Sequence, residues 1–243
     1  MQVCMKNYQL DRIGVIVMAG GRGERLKPLT NKTPKPLLKI NGTPLLMHVL
    51  QYFKKHGLKD ISISLNYKSD VFKTTFSKNG FSAFHANLVT EDVPLGSIGV
   101  LSKFRRSDND AFLVYNADII TNMNLHGFID TFNKHKPDLL MAARHHSFSI
   151  PFGVLRVNKK QEVISVIEKP NYSYQFNAGI YLISKDVVDC IPANKFFDII
   201  DLIQLLKKKK MKIMSYPILD YWIDIGTHQD LERANADLSI LNL

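Results

Sequence analysis

The sequence predicts an α/β fold, a three-layer arrangement of a mostly parallel sheet with helices on both faces. Three observations predict it. Short apolar runs alternate with helical patterns over residues 13–143, as strand–helix–strand units do. Glycines or polar residues follow the strand-like runs, at Gly20 and again at Asn116 and Asp118. Between about 145 and 175 the pattern changes to short β-branched runs joined by turns, which predicts a small β-rich insertion.

The elements follow in order. Residues 13–18 form a short apolar, β-branched run that reads as a buried strand emptying into Ala19-Gly20-Gly21-Arg22-Gly23-Glu24-Arg25. Thr43-Pro44 is expected to open a helix, with Thr43 as its cap and Pro44 in its first turn. Leu45, Leu46, Val49, Leu50 and Phe53 recur at helical spacing, and Gly57 ends the pattern. Ile61, Ile63 and Leu65 alternate as a strand does, and residues 71–76 are helical again. A strand is expected over 111–115, a helix over 125–135 and a strand over 138–143. Val154, Leu155, Val157, Val163, Val166 and Ile167 supply the strands of the insertion. Residues 177–183 return to a core-strand pattern, and 197–206 and 228–238 read as closing helices. Residues 1–12 look like an extension ahead of a single domain over 13–243.

The 243 residues carry a formal charge of +10, which suits a polyanionic partner. The dense run Lys207-Lys208-Lys209-Lys210 follows an apolar helical stretch. It reads as a solvated helix end, where cations meet the negative end of the dipole, and not as a nucleic-acid patch. Cys4 and Cys190 have no metal-type spacing and fit a reducing compartment. No apolar run is long enough to span a bilayer, and the first twelve residues lack a signal-peptide core. A cytoplasmic protein acting on neither nucleic acid nor membrane is the expectation.

Ala19, Gly20, Gly21 and Gly23 let the backbone approach a ligand closely, and successive N–H groups there can cradle phosphate. Arg22, Arg25 and Lys27 add cations. Two familiar phosphate loops are excluded. No Lys-Ser/Thr stands where a P-loop needs it, and Leu26 stands where the dinucleotide fingerprint needs its third glycine. Pro34-Lys35-Pro36 holds a lysine between two fixed φ angles, a pre-aimed point charge.

The run from Val17 to Thr30, followed by Pro34-Lys35-Pro36, closely resembles the signature of the sugar-phosphate nucleotidyltransferase family. That GT-A-like group makes nucleotide sugars from an NTP and a sugar 1-phosphate. The resemblance covers about residues 13–236, because later motifs appear in the family's order. It implies that Ala19, Gly20, Gly21, Gly23 and Arg25 grip the triphosphate. Glu91 to Ser97, with Pro94, Leu95 and Gly96, looks like the base-reading loop. Asn116-Ala117-Asp118 looks like a metal-binding strand end, and Tyr221 to Gly226 like the motif carrying the second metal-binding aspartate, Asp224. Gly153, Glu168, Lys169 and Asn177, together with Asn116, fall in segments that resemble the sugar side of the cleft. Three departures stand out: Glu24 before the key arginine, Ala117 for a common glycine, and Ser97-Ile98-Gly99 for the usual Thr-Ala-Gly.

On this resemblance Arg25, Lys35, Asp118, Lys169 and Asp224 are the catalytic candidates and Mg²⁺ is the cofactor. Asp118 follows an apolar strand, and Mg²⁺ takes one or two carboxylates plus phosphates and water. Guanine presents adjacent N–H donors that a carboxylate accepts, so Glu91 leans toward GTP over UTP. The sugar is open among mannose, heptose and amino-sugar 1-phosphates, and a homodimer is left open. A non-catalytic relative that binds nucleotide sugars and regulates is the reading of another class; such relatives lose one of the charged residues retained here.

Overall fold

The computed structural model describes residues 8–78 and 80–241. In chain order it contains β1 (Ile13–Met18), β2 (Lys39–Ile40), β3 (Thr43–Pro44), α1 (Leu45–Lys55), β4 (Ile61–Leu65), α2 (Ser69–Lys78) and β5 (Asn87–Thr90). There follow β6 (Ala111–Asn116), β7 (Ile119–Thr121), α3 (Leu125–His135), β8 (Leu139–Ser149), β9 (Val154–Val157), β10 (Val163–Ile167) and β11 (Asn171–Ser184). The chain closes with α4 (Lys185–Val188), α5 (Ile199–Lys208), β12 (Ile213–Pro217), β13 (Trp222–Asp224) and α6 (His228–Leu241).

Seven strands form one sheet in the order β12-β8-β11-β6-β1-β4-β5. β1 runs parallel to β4 and β6, β5 parallel to β4, and β12 parallel to β8. Only β11 opposes its neighbours β6 and β8. Alternate residues of β1 feed opposite faces, as the two-residue period of a strand requires. Ile13, Val15 and Val17 join Leu46, Val49 and Phe53 of α1 and Phe128 and Phe132 of α3 in one core. Ile16 joins Val187 and Val188 of α4 and Leu202 and Leu206 of α5 in the other. The result is the expected three-layer α/β sandwich.

The sequence expectations need several local corrections. Thr43 does not cap α1, and Pro44 stands at the cap and not in the first turn. Both belong to a small hairpin in which Ile40 pairs with Thr43, and the free Leu45 N–H donates to the carbonyl of Leu38 at 2.8 Å. A backbone carbonyl thus replaces the side-chain cap. α5 starts two residues later than its apolar pattern suggests, because Asp198 accepts from Ile200 and Asp201 N–H in a capping box. Lys207 and Lys208 do sit in its last turn.

β8 and β11 outrun the sheet. Asn171 to Asn177 pair with Ser149 to Ala143 as a two-stranded arm, and the register breaks between Asn177 and Tyr181. Phe148 lies 5.7 Å from Tyr172 and 6.2 Å from Tyr174, ring to ring, which stiffens the exposed rungs. Beyond the arm, β9 and β10 make a separate antiparallel ribbon.

Residues 1–7, with Cys4, lie outside the described residues. Residues 8–12 are not loose. Asn133 clamps Tyr8 through its N–H (2.7 Å) and carbonyl (3.1 Å), and the Tyr8 ring packs on Phe132. Arg12 makes two 3.1 Å bonds to Asp110. Among the described residues no helix is long and apolar enough to cross a membrane.

Candidate active site at the strand ends

A cleft of about 310 Å³ opens where β1, β4 and β6 end. Gly20 and Gly21 line it from β1, Glu91, Pro94 and Gly96 from the loop after β5, and Asn116 and Asp118 from the end of β6. In a parallel sheet this edge is where ligands bind, because the loops there diverge.

The glycine run is shaped by contact. A Cβ at Gly20 would meet Asn66 at 3.1 Å, and Gly23 sits at φ +61° with Thr30 and Lys35 against it. Thr30 donates to the Gly23 carbonyl at 2.8 Å, locking that left-handed turn. A Cβ at Gly21 would meet nothing, so that face is open to the cleft. Arg22 and Glu24 pair at 3.9 Å with both side chains more than 60 % exposed, a surface contact of little energetic weight. The Glu24 departure thus falls on the surface beside Arg22. Arg25 points the other way: a Cβ at Gly226 would come within 2.9 Å of its Nη2, so the guanidinium lies on the Tyr221–Gly226 motif.

The two aspartates meet through a strand pair. β13 pairs antiparallel with β7, setting Asp224 opposite Ile119, and Ile225 N–H donates to the Asp118 carbonyl at 2.9 Å. Lys35 forms an ion pair with Asp118 Oδ2. Asp118 Oδ1 is buried and has no hydrogen-bond partner. Such an orphaned carboxylate oxygen is costly unless a ligand meets it. Asp224 is open to solvent at its surface, yet desolvation first and the neighbouring Asp118 charge second raise its carboxyl pKa, while Lys35 and Arg25 pull it down. Two hard oxygen donors, one lacking a partner and one charged against its neighbour, fit a divalent cation.

Glu91 is buried, and both its oxygens are engaged by the protein. Oε1 accepts from Ser64 at 2.5 Å and Oε2 from Leu95 N–H at 2.9 Å. Its carboxylate therefore shapes the loop from within, and this changes the expectation that it is free to face a base edge. Ser97 accepts from Ile199 N–H at 3.0 Å, tying the loop to the start of α5, and Ile98 is buried core. The Ser97-Ile98 departure thus serves loop and helix packing.

The sugar-side candidates divide into two groups. Asn116 lies against Gly179, where a Cβ would come within 2.7 Å of its Nδ2, and Asn177 donates to Tyr181 and accepts from Gly179 N–H. With Gly179 and Tyr181, Asn116 and Asn177 form one polar corner of the sheet. Gly153, Glu168 and Lys169 belong to the ribbon: a Cβ at Gly153 would sit 3.0 Å from Glu168 Oε2, and Lys169 takes φ +43°. Trp222 packs edge-on to Phe176 and donates to the Ala178 carbonyl at 3.0 Å. Its role there is packing.

Residues 14–239 match the family model described as nucleotidyl transferase. The chain belongs to the nucleotidyl transferase family. It is 31% identical over 242 residues to a mannose-1-phosphate guanylyltransferase of Mycobacterium tuberculosis, covering 96% of this chain and 66% of that protein. It is 29% identical to the D-glycero-alpha-D-manno-heptose 1-phosphate guanylyltransferase of Campylobacter jejuni, covering 88% of this chain and 95% of that one. The chain therefore spans just under two thirds of the first relative and nearly all of the second. The crystal structure of HddC from Yersinia pseudotuberculosis complexed with GMP-PN superposes with a TM-score of 0.72 at 25% identity, over 93% of this chain and 99% of that one.

Sequence reasoning missed two residues lining the cleft of this nucleotidyl transferase, Asn66 and Phe196. Asn66 follows β4 as Asn116 ends β6, so a polar residue at a strand end was the available signal. Phe196 falls just ahead of the 197–206 helical pattern, and its position became visible only with the fold.

Proposed function

We propose that the chain is a sugar-1-phosphate guanylyltransferase that forms a GDP-sugar and pyrophosphate from GTP and a mannose or heptose 1-phosphate. The observation that carries this reading is that the glycine run and Asp118 line one strand-end cleft, while Lys35 pairs with Asp118 and Asp224 feels the charges of Asp118, Lys35 and Arg25. The names of the relatives support the guanine base and the hexose or heptose sugar.

A phosphate oxygen of the sugar 1-phosphate attacks the α-phosphorus of GTP, the bond to the β-phosphate oxygen breaks, and pyrophosphate leaves. The attacking oxygen is already anionic, so no side chain need remove a proton. The work left to the protein is to bring two polyanions together in line. Backbone N–H groups around Gly21 and the Arg25 guanidinium hold the triphosphate. Lys35, aimed by its pairing with Asp118, faces the charge that develops during transfer. Lys169 orients the incoming sugar phosphate from the ribbon, and Glu168, Asn116 and Asn177 offer partners to sugar hydroxyls. Asp118 and Asp224 would hold Mg²⁺, which supplies charge neutralisation to the reacting phosphates when bound.

Pyrophosphate release from GTP, UTP and dTTP, each with a panel of sugar 1-phosphates, tests the reading. Turnover with GTP and mannose or heptose 1-phosphate is expected. Turnover with another nucleotide alone refutes the base, and no release with any pair refutes the activity.

A further inference from the structure

We propose that Phe196 is the aromatic surface on which the nucleobase stacks. The inference deepens the nucleotidyl-transfer reading and rests on it. Phe196 is 62 % exposed and lines the nucleotide cleft beside Pro94, Gly96 and Ser97. Isolated exposed apolar residues are ordinary, so its position must carry the argument.

The backbone on both sides of Phe196 is pressed onto the loop that follows β5. On one side, a Cβ at Gly99 would come within 2.8 Å of the Lys195 carbonyl. On the other, Gly96 takes φ +75°, and a Cβ there would come within 2.7 Å of the Phe197 carbonyl. Phe197 N–H donates to the Leu95 carbonyl at 3.0 Å, and its carbonyl accepts from Ile98 and Gly99 N–H at 3.1 and 2.9 Å. Asp198 then caps α5, whose first N–H donates to Ser97. The ring is thus carried by backbone fixed at both ends while its own surface stays open.

The ligand's parts decide what meets it. The phosphates need N–H groups and cations, which the glycine run and Lys35 supply, and a phenyl ring offers them nothing. The planar base is the part that gains from an aromatic face. Stacking is tolerant of base identity and stronger for the larger purine surface, so Phe196 adds affinity while edge contacts choose the base.

The test is nucleotide binding and turnover by the full chain as wild type, Phe196→Ala and Phe196→Trp. Phe196→Ala is expected to weaken GTP binding roughly tenfold, with a smaller effect on UTP. KM for GTP should rise in step while kcat and the KM for sugar 1-phosphate stay put. Phe196→Trp should restore affinity, and neither variant should move Tm, because the ring is exposed. GTP affinity unchanged in Phe196→Ala, or a loss confined to the sugar phosphate, overturns the proposal and leaves the functional reading intact. Wild type that binds no nucleoside triphosphate overturns that reading and this proposal with it.

Discussion

At Asp224 the protein holds a carboxylate whose ionised form is disfavoured by desolvation and by Asp118. A raised carboxyl pKa favours folding when protonated, and that advantage is lost as pH rises through the folded-state value. Asp224→Asn should therefore abolish pyrophosphate release yet raise Tm at neutral pH. The gain over wild type should shrink as pH falls toward the ordinary carboxylate range, which melting curves across pH will show. Asp118→Asn should also abolish release; Oδ1 has no protein partner to lose, and the amide oxygen can still accept from Lys35 in place of Oδ2, so circular dichroism should show an intact fold. Gly226→Ala pushes on the Arg25 guanidinium. A displacement of this kind should lower kcat/KM about a hundredfold while leaving Tm nearly unchanged.

Among the elements, α5 and the loop after β5 support one another through Ser97 and Asp198. Asp198→Ala should cost about 1 kcal/mol, a fall in Tm of roughly 2–4 °C, by removing the capping acceptor. It should also loosen the base side of the cleft, read as a higher KM for GTP. The sequence announced most of these elements because their apolar periodicity is local; α3 begins and ends where its pattern does. It misplaced the start of α1, where a distant carbonyl at Leu38 does what Thr43 was expected to do. Glu91 shows the same limit. A loop glutamate next to a proline-leucine-glycine turn looks solvent-facing, and only the β4–β5 pairing puts Ser64 beside it. That Lys35 and Asp118 meet, and that Arg25 lies against the Tyr221–Gly226 stretch, follows contiguous motifs already visible in the sequence. Phe196 was not legible there, since nothing near it in the chain signals a cleft.

On the scale of the whole molecule, the glycine run and Asp118 stand at the ends of main-sheet strands, and Lys169 follows the ribbon beyond the β8–β11 arm. Lys169→Met should accordingly raise the KM for sugar 1-phosphate at least about tenfold, as expected for losing a charge-assisted contact. GTP affinity should stay at the wild-type level, as titration calorimetry will measure. The β7–β13 pair has a different kind of consequence. It joins Asp118 to a residue near the far end of the chain, after every other strand has been made. On the ribosome, a chain that has emerged as far as β12 carries the glycine run, Lys35 and Asp118 but not Asp224. If Asp224 acts as proposed, the site is complete only once β13 has paired with β7, so the closing strand of the chain is also the one that finishes the cleft.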